Sequence, residues 1–138
     1  MTSNTSEALP TNESRIQTIL LVVEDDEDIS EFIAQVLQDK TSHAILGVSD
    51  AAQAFAAVSS ITPSLFILDY QLPDMNGLEL SDRLHAIEGL ETVPTLMMSA
   101  NLPPRHALQH RHIVPLKKPF EISDLLKSID KLLPPQDG

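Results

Sequence analysis

Five short apolar runs, each leading into a stretch of helical period, alternate along this chain, and that alternation restricts what it can fold into. Ile19-Leu20-Leu21-Val22-Val23 precedes Ile29, Phe32, Ile33, Val36 and Leu37, apolar positions three and four apart. Ala44 to Val48 precedes Ala51, Phe55 and Val58, and Leu65 to Leu68 precedes Leu80, Leu84 and Ile87. Val93 to Met98 and Ile113 to Leu116 are the fourth and fifth runs. The last stripe, Ile122, Leu125, Leu126, Ile129, Leu132 and Leu133, is closed by Pro134-Pro135. Such alternation predicts an α/β domain, a doubly wound five-stranded parallel sheet, because each right-handed crossover lays a helix over the sheet. Leu65 to Leu68 and Ile19 to Val23 are continuously apolar rather than alternating, as strands covered on both faces must be.

With 138 residues, 42% of them hydrophobic, the chain buries one core and is too short for two. Residues 1–17 are rich in Ser, Thr, Asn and Glu without apolar periodicity and read as a flexible tail. The domain then spans 18–133, with 134–138 as a C-terminal tail.

In a sheet of this kind ligands bind beyond the carboxyl ends of the strands. The first strand ends in Glu24-Asp25-Asp26-Glu27-Asp28, five acids in succession at a helix start. N-capping by Asp26 and the helix dipole account for one or two of them, at ~1 kcal/mol. Glu24 and Asp25 lie at the strand end itself, where a hard cation such as Mg²⁺ would be held. The third strand ends at Asp69, followed by a loop, Gln71-Leu72-Pro73-Asp74-Met75-Asn76-Gly77, with Pro and Asn-Gly turn chemistry. Strand one is expected beside strand three, so three carboxylates converge; with Mg²⁺ they stay ionised and Asp69 becomes a usable nucleophile. Ser99 and Lys118 close the fourth and fifth strands, placed to offer a hydroxyl and an ammonium to the oxygens of a phosphoryl group on Asp69.

Composition removes other classes. Nine Lys plus Arg against 20 Asp plus Glu give a net charge of -11, which repels nucleic acid and anionic lipid. No apolar run approaches the roughly 20 residues that span a bilayer, and nothing resembles a secretory signal. Zero cysteines suit a reducing, cytoplasmic compartment. His106 and His110, four apart, have helical metal-ligand spacing but no evident third ligand; His43 and His85 carry no functional reading.

Over Thr18 to Leu133 the chain resembles the receiver domain of two-component response regulators. The resemblance rests on Ile19-Leu-Leu-Val-Val-Glu-Asp-Asp, Ile67-Leu-Asp-Tyr-Gln-Leu-Pro-Asp-Met-Asn-Gly77, Val93-Pro-Thr-Leu-Met-Met-Ser-Ala100 and Lys118-Pro-Phe120. It implies a flavodoxin-like sheet of strand order 2-1-3-4-5 and a phosphoacceptor rather than an enzyme, with intrinsic autophosphorylation and autodephosphorylation open to it. It also implies Asp69 as the acceptor, Ser99 as the switch hydroxyl and Lys118 as the site lysine. Mg²⁺ is implied on Glu24, Asp25, Asp69 and the Gln71 carbonyl. The Lys118-Pro119 peptide is expected to be cis. The implied donor is a phosphohistidine on a sensor histidine kinase or a histidine phosphotransfer protein, and a further partner reads the switch.

Two departures from the family pattern stand out. The position three residues before the lysine, which usually carries Tyr or Phe, is Pro115. Only 18 residues separate Ser99 from Lys118, Pro103-Pro104 among them, so the fourth helix is expected to be short. The departures leave open a receiver-shaped interaction module that is not phosphorylated. A haloacid-dehalogenase-type phosphatase would need an acid two residues after the nucleophile, where Gln71 stands. A flavodoxin-like cofactor loop would need backbone donors and hydroxyls where five acids lie.

Overall fold

The computed structural model describes residues 18–133; both tails of the sequence reading lie outside the described residues. Strands and helices alternate as the apolar runs predict: β1 (Ile19–Val23), α1 (Glu27–Lys40), β2 (Ala44–Val48), α2 (Ala51–Val58), β3 (Leu65–Asp69), α3 (Gly77–His85), β4 (Thr95–Ser99), α4 (Arg105–His110), β5 (Ile113–Lys117) and α5 (Ile122–Leu132). All pairings are parallel, in the order β2-β1-β3-β4-β5. The expected doubly wound sheet, strand order 2-1-3-4-5, is therefore present. β4 begins at Thr95, two residues later than the apolar run; Pro94 has no N–H to give a ladder, and the Val93 carbonyl accepts from the His85 ring at 2.8 Å.

Period-two alternation divides the core between the two faces of the sheet. Leu20, Val22 and Ile67 pack with Ile33 and Leu37 of α1 and Leu125 and Ile129 of α5. Leu21, Val23, Phe66 and Leu68 pack with Ala54 of α2, Leu80 and Leu84 of α3 and Leu108 of α4. Every residue of β3 is buried, so the sheet is covered on both sides at its centre.

Local chemistry sets where the helices start. Asp26 caps α1, its Oδ1 accepting from the backbone N–H of Asp28 at 2.9 Å and of Ile29 at 3.2 Å. Asn76 caps α3 through the Glu79 N–H, and Glu121 and Asp124 form a reciprocal capping box on α5. α4 has Pro104 at its start and no side-chain cap, and it runs only six residues, the short fourth helix that the prolines led us to expect.

His43, at the entrance to β2, has a buried Nδ1 with no hydrogen-bond partner among the described residues. Burial lowers the pKa of this imidazole from 6.5, outweighing the opposing pull of Asp130. A depressed folded-state pKa means that the unfolded chain takes up the proton first. The stability that the neutral ring contributes is thus complete above pH 6.5 and declines as the pH falls through the folded-state value beneath it. His43→Leu is expected to flatten this slope and to stabilise the neutral-pH fold by about 1 kcal/mol through loss of the orphaned nitrogen. Urea denaturation of both proteins on either side of that pH checks it, and equal slopes would contradict it.

Candidate functional site

Parallel pairing brings the carboxyl ends of β1, β3, β4 and β5 to one rim, and with them the residues singled out from sequence. Glu24 follows β1, Asp69 ends β3, Ser99 ends β4 and Lys118 follows β5. One carboxylate oxygen each from Glu24, Asp25 and Asp69 lies within 4.8 Å of the others. Glu24 and Asp69 are buried, at 2% and 5% exposure, while Asp25 is exposed. The two buried acids share one cation: Lys118 Nζ donates to Glu24 Oε1 at 2.7 Å and to Asp69 Oδ1 at 3.2 Å. Asp69 Oδ2 has no hydrogen bond among the described residues.

The electrostatics follow from burial. Desolvation raises the Glu24 carboxyl above its ordinary range, the Asp69 charge adds to this, and the Lys118 ammonium and the Asp26 N–H only partly offset it. For Lys118, burial favours the neutral amine, but hydrogen bonds and attraction to Glu24 and Asp69 together prevail and hold it protonated. Three carboxylates around one ammonium remain an excess of negative oxygen. Their hard donor set, one member facing solvent, fits a divalent cation such as Mg²⁺ better than a soft or nitrogen-preferring metal.

The backbone around Asp69 is held by short-range packing. Gly77 N–H donates to the Tyr70 carbonyl at 2.6 Å, and a Cβ on Gly77 would lie 2.6 Å from the Asp69 carbonyl oxygen. Asn76-Gly77 is thus a helix cap followed by a close approach of two backbones, rather than the Asn-Gly turn that its sequence suggests. Gln71, whose carbonyl the family resemblance implicates, is joined to Asn76 by an isolated antiparallel bridge. Asp74 bridges this loop back to the start of α2, its two oxygens accepting the N–H groups of Ala51 and Ala52 at 3.1 Å each. These bonds, the Ala51 one foremost, lower its pKa. Sequence reasoning passed over Asp74, since an acid in a Pro-containing loop carries no sign of a partner more than 20 residues away.

Ser99 Oγ is engaged locally, donating to the Asn101 carbonyl at 2.8 Å and accepting the Asn101 N–H at 3.0 Å. Lys118 is followed by a cis peptide bond to Pro119, as expected. Pro115 lies in the middle of β5. His106 and His110 are both exposed on α4, apart from the acidic cluster, and among the described residues no histidine joins a group with metal-ligand geometry. His85 is structural: Ser81 lies 3.2 Å from its Nδ1, its Nε2–H points at Val93, and its ring meets Phe66 edge-on.

Beside the acids lies an apolar hollow of about 430 Å³ lined by Asp28, Ile29, Phe32, Ala100, Pro119 and Phe120. Phe32 is 41% exposed and its ring centroid is 6.4 Å from that of Phe120. No helix among the described residues is long and apolar enough to cross a membrane.

Comparison with known proteins adds independent findings. A family model described as "Response regulator receiver domain" matches residues 20–130. The chain is similar to the sensory/regulatory protein RpfC of Xanthomonas campestris pv. campestris, 28% identical over 93 residues, covering 66% of this chain and 13% of that protein. It is also similar to the DNA-binding response regulator MtrA of Mycolicibacterium smegmatis, 38% identical over 82 residues, covering 59% of this chain and 34% of that protein. The chain thus spans a minor part of the curated relatives that it matches. Among solved structures, the chemotaxis response regulator CheY4 of Vibrio cholerae superposes with a TM-score of 0.78 at 23% identity, covering 86% of this chain and all of that one, a likeness of fold.

Proposed function

The chain belongs to the response regulator receiver domain family of two-component signalling, and from that premise we propose that Asp69 is a phosphoacceptor whose modification depends on Mg²⁺. The observation that supports the reading is Lys118 Nζ bound to both Glu24 and Asp69 with the Asp25 carboxylate beside them, three carboxylates and an ammonium on one rim. Mg²⁺ held by Glu24, Asp25, Asp69 and the Gln71 carbonyl would offset negative charge on the phosphoryl oxygens during transfer. Asp69 supplies the nucleophilic oxygen: its O–P bond forms as the P–N bond of a phosphohistidine breaks, and the imidazole leaves. Lys118, held protonated, pairs with an oxygen of the new acyl phosphate. Ser99 supplies a hydroxyl donor once it gives up the Asn101 carbonyl. The absence of cysteine is consistent with a cytoplasmic setting.

Incubation of the protein with Mg²⁺ and acetyl phosphate, followed by intact mass measurement, tests the reading. The wild type is expected to gain one phosphoryl group and Asp69→Asn none. Equal absence of modification in both would favour an unphosphorylated interaction module, the alternative that Pro115 and the six-residue α4 support.

A sensor histidine kinase or histidine phosphotransfer protein must place its imidazole against Asp69, and the apolar hollow around Phe32 and Phe120 is the surface next to that point. Exposed aromatic side chains of this kind anchor protein contacts. Phe32→Asp is expected to slow transfer from a phosphohistidine protein about tenfold while leaving modification by acetyl phosphate unchanged. A parallel fall in both rates would place the effect inside the site and not at a docking surface.

A further inference from the structure

The two edges of the sheet are finished differently. β5 has Pro115 at its centre, with no N–H to offer a further strand, and exposed Lys117 at its end. β2, the other edge, is Ala44-Ile45-Leu46-Gly47-Val48, without charge, proline or bulge. A chain with nine basic and 20 acidic residues places none of them on this strand. Leu46, at its centre, is 36% exposed.

The direction of the hydrogen bonds along β2 decides which backbone groups are open. Ala44 N–H donates to the Thr18 carbonyl at 2.8 Å and the Val48 carbonyl accepts the Glu24 N–H at 3.0 Å, so residues 44, 46 and 48 turn toward β1. By strand alternation residues 43, 45, 47 and 49 turn outward. The outward donors at the two ends are already taken, His43 N–H by Thr41 Oγ1 at 3.2 Å and Ser49 N–H by Gln53 Oε1 at 3.0 Å. Ile45 and Gly47 remain, each with an N–H and a C=O that have no partner among the described residues.

This pair of residues is self-complementary. When a second β2 runs antiparallel with Leu46 opposite Leu46, Ile45 of each copy exchanges both of its bonds with Gly47 of the other, four bonds about a two-fold axis. The leucines then form a pair without hydrogen bonds, the kind whose side chains lie closest, with Cα atoms about 4.5 Å apart. Each covers the other. Moving the axis to Ile45 or to Gly47 would call on the His43 or Ser49 donor that is already engaged. A second copy also brings a strand ordered by its own sheet, so this pairing avoids the ordering cost that an unstructured peptide would incur. Charge opposes it: each copy carries -11, a repulsion that reaches about 10 Å at 0.1 M salt and about 3 Å at 1 M.

We propose that the β2 edge pairs with a second copy of this chain, antiparallel about Leu46, joining two five-stranded sheets into one. The proposal does not depend on phosphorylation of Asp69. Sedimentation equilibrium of the full chain from about 1 µM to about 1 mM is expected to show monomers and dimers in reversible exchange, with the dimer favoured as salt rises. In the wild type, hydrogen exchange of the Ile45 and Gly47 amides, followed by NMR, should slow as the dimer forms. Leu46→Lys sets two ammonium groups against each other on the axis and should weaken the dimer about tenfold or more, even though it makes each copy less negative. Ile122→Lys, the same charge change at an apolar side chain 39% exposed on α5, should alter it less than about twofold. A monomer at every concentration and salt would overturn the proposal. So would a dimer whose Ile45 and Gly47 amides exchange as fast as in the monomer, equal losses in the two variants, or growth beyond the dimer, which a closed two-fold pairing does not allow.

Discussion

Replacing Lys118 by Met is expected to destabilise the fold by about 3–5 kcal/mol at neutral pH, the range found when one partner of a buried ion pair is removed. Glu24 and Asp69 have side chains only 1% and 7% exposed, and Lys118 Nζ is the cation that they share. Without it two buried carboxylates repel each other. Glu24, whose carboxyl burial and Asp69 already hold above its usual range, loses the ammonium that opposes the rise. For an acid with a raised folded-state pKa, the cost of ionisation is full above that value and disappears below the unfolded one. The deficit of the variant relative to wild type should accordingly be largest at neutral pH and shrink toward pH 4.5.

Two further measurements separate charge from lost packing. Glu24→Gln combined with Lys118→Met should recover about 1–3 kcal/mol of the single variant's loss, because the neutral amide no longer needs a counter-ion. Added Mg²⁺ should raise the melting temperature of Lys118→Met more than that of the wild type, in which the ammonium occupies part of the site. A double variant no more stable than Lys118→Met would show that the lysine acts through its aliphatic stem.

How much of this was legible in the sequence differs from residue to residue. Ile19–Val23 and Leu65–Leu68 could be recognised as central strands because burial on both faces requires continuous apolar runs, and a strand end fixes where the next polar residue emerges. For that reason Glu24, Asp69, Ser99 and Lys118 were traceable to one rim although they are far apart in the chain. The start of β4 was misread by two residues because Val93 is apolar yet sits in the approach to the strand, where its carbonyl serves His85. Asp74 and Asn101 escaped notice for another reason. Their roles are hydrogen bonds to or from backbone groups, and a backbone partner leaves no trace in residue type.

Gly77→Ala is the second change with a large expected effect, and it tests the site through backbone contact instead of charge. An added Cβ would lie 2.6 Å from the Asp69 carbonyl oxygen, 2.7 Å from Met97 Sδ and 2.9 Å from Tyr70 Cα. The Met97 thioether can rotate, but the other two atoms are main chain of Asp69 and of the residue after it and cannot yield without moving Asp69. Overpacking of this kind costs about 1–3 kcal/mol. Displacement of a reacting group by about 1 Å lowers rate by about a hundredfold, so phosphorylation by acetyl phosphate should fall more than stability does.

Two other glycines serve as controls for that reading. At Gly47 the nearest atom to a new Cβ is Ser30 Oγ at 3.3 Å, on an edge strand, and Gly47→Ala should leave stability within about 0.5 kcal/mol. Gly89 has open space around it but φ of +94°, so Gly89→Ala should cost about 1 kcal/mol through backbone strain alone and leave the phosphorylation rate unchanged. Denaturation curves and phosphorylation rates for the three variants should therefore separate: Gly77 loses both, Gly89 loses stability only, Gly47 keeps both. A Gly77→Ala protein with wild-type phosphorylation would mean that the loop yields without shifting Asp69, and that the close approach has no part in placing that carboxylate.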